Sequence, residues 1–232
     1  MKTAAFAFLL LAPLMAPPAH AAERGYSVTD FDRIRIDGPY RVTLTTGRSP
    51  GARAVGAQAA IEGVAVEVQG RTLIVRRNTQ TWGGYPGASA GPVEVRVTGY
   101  TLRAAALNGA GSLAIDKVKA ASVDLVVAGS GLLTVGAIEA DRLTVAVTGN
   151  GRAKIAGKAA IAQLGVRGTG SIDAAALVAK DAKIAADGPG EISVTATVSA
   201  GVVSAGSGQI VVLGDPACTV KATGSGTVTC GK

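Results

Sequence analysis

The tripeptide Gly-x-Gly recurs seven times in the second half of the chain, and its spacing limits what the chain can fold into. It reads "GAG" at 109–111, "GSG" at 129–131, "GNG" at 149–151, "GTG" at 168–170, "GPG" at 188–190, and "GSG" at 206–208 and 224–226. Successive first glycines are 20, 20, 19, 20, 18 and 18 residues apart. Apolar or small residues hold fixed phases around them, such as Leu113/Ile115 and Leu133/Val135 after the glycines and Leu125/Val127 and Val145/Val147 before. This is period-two alternation on both sides of a turn, so each repeat carries at least two short strands with one buried face. A middle apolar position (Val118, Ile138, Leu177) marks a third side.

A unit this short cannot enclose a core, but stacked units can hydrogen-bond to their neighbours and share one apolar column. The expected fold is all-β: a single-stranded parallel β-helix, a right-handed solenoid of 18–20-residue coils with Gly-x-Gly corners. A sharp corner needs positive φ, which glycine adopts without steric cost. The segment "DGPYRVTL" (37–44) has Val42 and Leu44 in the same phases after Gly38, with Ile34 and Ile36 before it. Tyr40 replaces the second glycine there, so the first glycine is expected to carry the positive φ. The small polar residues between the glycines read either as corner chemistry, the preferred reading, or as a glycan-binding ridge.

Residues 1–21 read as a signal peptide. Lys2 precedes the apolar stretch "AAFAFLLLAPLMA" (4–16), and "AHA" (19–21) offers small residues for cleavage. The remaining 22–232 is expected to be one β-helix domain, with irregular coils and a hairpin over 26–98 and regular coils over 99–232. The mature chain is expected to be exported, to the periplasm or the cell surface, with no transmembrane segment. The only histidine, His20, lies in the leader, so the mature chain has no imidazole for Ser-His-Asp or Cys-His catalysis or for metal binding. No cofactor or metal is expected. Its 22 basic and 16 acidic groups are scattered, which reads as general solubility, and no basic cluster interleaved with aromatics suggests nucleic acid. Cys218 and Cys230 fall in inward phases around the last corner and, in an oxidising compartment, are expected to form a disulfide that closes the terminal coil.

"VAVEVQGRTLIVRR" (64–77) reads as two strands joined at Gln69-Gly70, and "VEVRV" (93–97) as another. Between them, the loop 78–91 carries Trp82 and Tyr85, flanked by Arg76, Arg77 and Arg96. These five residues are the candidate ligand-binding set, because aromatic rings beside arginines can stack on sugars or anchor a partner. Trp82 could equally fold back over an open solenoid end.

"FDRIRIDGPYRVTLTTG" (31–47), "LIVRR" (73–77) and the serial glycine corners together resemble the exported bacterial auto-transporter adhesin head, or GIN, domains. The resemblance implies a β-helical cell-envelope protein. The expected function is a non-catalytic module binding an anionic polysaccharide or a surface protein. A polysaccharide-active enzyme is the alternative, but Asp116, Asp124, Asp141, Asp173, Asp181, Asp187 and Glu191 occupy different phases and form no paired site. A structural role through stacked ends is the third reading.

Overall fold

The computed structural model describes residues 22–79 and 92–231. The expected leader (1–21) and most of the aromatic loop, with Trp82 and Tyr85, lie outside the described residues. The first half contains β1 (Ala22–Tyr26), β2 (Arg33–Asp37), β3 (Arg41–Thr46), β4 (Gly51–Gly56), α1 (Gln58–Glu62), β5 (Val64–Gln69), β6 (Thr72–Arg77), β7 (Glu94–Gly99) and β8 (Ala104–Gly109). The second half contains β9 (Ser112–Gly129), β10 (Leu132–Gly149), β11 (Arg152–Arg167), β12 (Ser171–Asp187) and β13 (Glu191–Ala205), then β14 (Gln209–Leu213), β15 (Ala217–Thr223) and β16 (Thr227–Cys230).

From β9 onward each coil pairs in parallel with the next in near-continuous register. This is the parallel β-solenoid expected from the repeat. Each coil has a first side after the glycine corner, a short second side and a third side leading to the next corner. Leu113, Leu133, Ala153, Ile172, Ile192 and Ile210 line the first side's inner face, and Leu125, Val145, Leu164, Ile184 and Val202 the third side's. All are fully or almost fully buried, so they form one dry column along the axis. Coil-length differences are absorbed on the second side, where register shifts fall between Val135 and Ile138, Lys154 and Gly157, and Ala174 and Val178.

The corners show why two glycines recur. The first glycines have φ from +99° at Gly149 to +153° at Gly206. The second glycine answers a close approach between layers: a Cβ on Gly170 would lie 2.6 Å from the Gly151 carbonyl oxygen and 2.6 Å from Val147 Cγ1. Tyr40 escapes this constraint near the end of the stack, where its ring is buried against the core.

The N-terminal half departs from serial order. β2 pairs with β6 on one side and β8 on the other, while β3 lies between β7 and β9. The layers therefore run β6–β7, then β2–β3, then β8–β9, and the layer made first in sequence lies second in space. Asp32 pins this arrangement. It precedes β2 as Arg71 precedes β6 and Arg103 precedes β8, so the three stack in one column. Its Oδ2 accepts from Arg71 Nε at 3.0 Å and from Arg103 Nη2 at 2.9 Å. Its side chain is 3% exposed. The outer end is then closed by strands of reversed direction: β4 runs antiparallel to β7, β1 to β4, and β5 to β6. Helix α1 lies across the opening with Ala60 and Ile61 buried.

At the other end, Cys218 and Cys230 form the expected disulfide, with Cα atoms 6.5 Å apart. Their phase is inward, yet Cys218 is exposed and Cys230 only half-buried, because no further described coil covers them. Replacing both cysteines by serine will release a loop whose closure is worth about 3 kcal/mol. In a stack of local interfaces that loss falls on the last coil. Hydrogen exchange should accelerate over 217–230 while 112–205 keeps its protection. Equal acceleration throughout would refute the local role.

Candidate functional site

Arg76, Arg77 and Arg96, flanking the aromatic loop, do not form one cluster. Arg76 and Arg77 end β6 on the third side, whereas Arg96 lies in β7 on the first. Arg76 Nε donates to Glu67 Oε1 at 2.9 Å, and Arg96 Nε donates to Glu94 Oε1 at 2.8 Å. That bond to Arg96 holds the Glu94 carboxyl below its ordinary pKa. Arg77 lies near the Tyr40 phenol, whose pKa burial pushes up while the nearby cation pulls it back. β6 ends and β7 begins at the edge of the rod where, in the later coils, a glycine corner joins the third side to the first.

A more continuous feature lies on the second side. Tyr100, 56% exposed, stands at one end of a groove of about 690 Å³ with Lys117, Lys119, Glu139 and Lys158 along it. A second hollow of about 490 Å³ shares Lys119, Glu139 and Lys158 and extends to Asp141 and Lys180. Register explains the row: Lys119 lies beside Glu139, and Glu139 beside Lys158, on successive layers. Adjacent layers are about 4.8 Å apart, so the two lysines flank Glu139 about 10 Å from each other. Lys119 Nζ pairs with Glu139 Oε1 at 2.8 Å. Lys117, Lys158 and Lys180 have no carboxylate within ion-pair distance among the described residues. The row thus offers free ammonium groups beside an exposed aromatic ring, a chemistry suited to an extended anionic ligand.

The third side presents a contrasting shallow trough of about 600 Å³ over Ala146, Gly165, Ala185 and Gly201, with Val203 at its rim. Among the described residues no three His, Cys, Asp or Glu side chains come together to hold a metal ion. No described helix is long and apolar enough to cross a membrane. The second-side row escapes sequence reasoning because the bulges there break the fixed phases that make the other two sides readable.

The family model described as "Putative auto-transporter adhesin, head GIN domain" matches residues 30–216. The chain belongs to the GIN-domain family. The matched span opens just before β2 and closes just before β15, so the disulfide-bonded coil of this GIN domain lies beyond it. Solved structures share the fold. A "putative adhesin" from Bacteroides fragilis superposes with a TM-score of 0.80 at 23% identity, covering 92% of this chain and 98% of that one. A "putative lipid binding protein" from Parabacteroides distasonis gives 0.71 at 22% identity, covering 93% and 98%. A "putative adhesin" from Parabacteroides merdae gives 0.64 at 22% identity, covering 91% and 96%. Comparison with curated proteins finds no match.

Proposed function

We propose that this GIN domain is an exported, non-catalytic, adhesin-like module that holds an anionic polysaccharide along its second side. The carrying observation is a run of cations along two adjoining hollows, Lys117 and Lys158 in the groove with exposed Tyr100, and Lys158 again with Lys180 in the next. A chain of sugars lying along the axis can stack on Tyr100 and meet a cation on several layers, which suits a repeating ligand better than a compact one. The disulfide fits an oxidising, extracytoplasmic compartment.

Titration with a panel of uronate-containing and sulfated polysaccharides tests the reading. Binding should weaken about tenfold in a Lys158→Ser/Lys180→Ser double variant and fall steeply with added salt, as expected for screened surface charge. Unchanged affinity would reject the groove, and release of reducing or unsaturated ends would reject the non-catalytic reading. A loss confined to Trp82→Ala would move the binding to the loop at 78–91. One observation favours a second reading. The apolar trough on the third side and the lipid-binding name of one structural relative together suggest an acyl chain as ligand there. Binding to phospholipid vesicles that Val203→Ser abolishes would support it.

A further inference from the structure

The two ends of the rod differ in kind. The N-terminal end is closed by the reversed strands β1, β4 and β5 and by α1, with Glu23 and Arg53 paired at its edge. Among the described residues the C-terminal end has neither reversed strand nor helix. β15 pairs only with β13 and β16 only with β14, so each has one row of main-chain donors and acceptors with no partner strand among the described residues. The inward positions of this coil are apolar or small and open to solvent: Val220 is 45% exposed, Cys218 and Ala222 are exposed, and Val228 is half-buried. Lys221, on the same strand, points outward onto the third side. The disulfide joins the two strands and fixes the coil's shape before any partner arrives.

We propose that this end is an interface between two copies of the chain, related by a two-fold axis perpendicular to the rod. Such an axis reverses strand direction, so the edges of β15 and β16 would meet terminal strands of the second copy in antiparallel pairing, which needs no crossover connection. No inward position of the coil carries a charge, so the apolar faces meet without like-charge conflict. An isologous contact of this kind uses the same end of both copies, so the assembly stops at two. The rim of a coil runs about 60 Å at about 3.3 Å per residue, and contact across it would cover roughly 1,200 Å² in total, the lower end of the range for specific interfaces. A concentration-dependent dimer follows from that area.

Sedimentation equilibrium of the purified protein over a wide concentration range tests this, alongside Val220→Lys. The variant places a charge at an inward, half-open position, the device by which edge strands resist pairing. The wild type should pass from monomer to dimer, and the dissociation constant of Val220→Lys should rise by about tenfold or more while its circular dichroism is unchanged. Hydrogen exchange on the wild type supplies a readout independent of the variant's folding. Amides in 217–223 and 227–230 should gain protection with concentration while those of β1 and β5 do not. A wild type monomeric at high micromolar concentration would overturn the proposal. So would a ladder of larger species, a folded Val220→Lys that dimerises as well as the wild type, or exchange independent of concentration at the terminal strands.

Discussion

Gly168→Val will break the stack in its middle. Gly168 has φ +108°, and a Cβ there would lie 2.8 Å from the Gly149 carbonyl oxygen and 3.3 Å from its Cα, both backbone atoms of the layer before. A β-branched residue meets strain of about 1–3 kcal/mol from the dihedral alone. The clash must also be relieved by separating two layers or tilting the corner. The combined loss is expected to reach about 4 kcal/mol or more, in the range reserved for backbone strain and overpacking. Because each coil is stabilised chiefly by its neighbours, the damage should divide the rod. Calorimetry should show a broadened or split transition and a large drop in melting temperature, or the chain should fail to accumulate. The adjacent Thr169→Ala is the control. Thr169 is exposed and its hydroxyl donates to Asn150 Oδ1 at 2.5 Å, so its removal should cost within about 1 kcal/mol. Similar melting for Gly168→Val and wild type would refute the steric account of the corners.

Asp32→Asn is the second large effect. Burial by itself would raise the Asp32 pKa, but hydrogen bonds from Arg103 and Arg71 outweigh it and hold the carboxyl below its ordinary value. An amide at this position loses the charge and turns a donor toward donors. Both guanidinium groups are largely exposed and regain water, so the cost should be about 2–3 kcal/mol rather than that of a stranded buried charge. A chain of this length should then melt about 5–10 °C lower at neutral pH. The depressed folded pKa fixes the pH dependence. The carboxylate's contribution is complete above the unfolded value near about 4 and is lost as pH falls through the lower folded value. The stability gap between wild type and Asp32→Asn should stay constant from pH 7 to 5 and narrow below about 4. A gap that persists unchanged into strong acid would show that Asp32 acts by shape alone.

These residues also mark what the sequence could reveal. The corners, the three sides and the inward column were legible because they repeat at nearly fixed spacing, so each coil corroborates the next. The hairpin at Gln69-Gly70 was legible from local alternation. The interleaved layers were not, because β2 finds its partners in strands that begin 39 and 71 residues later, and alternation names no partner. Asp32 was missed for the same reason: Arg71 and Arg103 are 39 and 71 residues away. The cysteine phases were readable, but the solvent exposure of Cys218 depends on what lies beyond the coil. The lysine row was hidden by register shifts, and Tyr100 had no periodic neighbour to give it meaning.

The interleaving also sets an order of events for a chain emerging from its amino end. The layer formed by 33–46 has no neighbour on the third side until β6 and β8 have been synthesised, so its early alternating segments must wait without edge partners. Downstream, each new turn finds a finished template directly behind it and can add by short-range closure. Growth of the rod should therefore begin slowly, at its most entangled layers, and proceed rapidly toward the carboxyl end once they have locked.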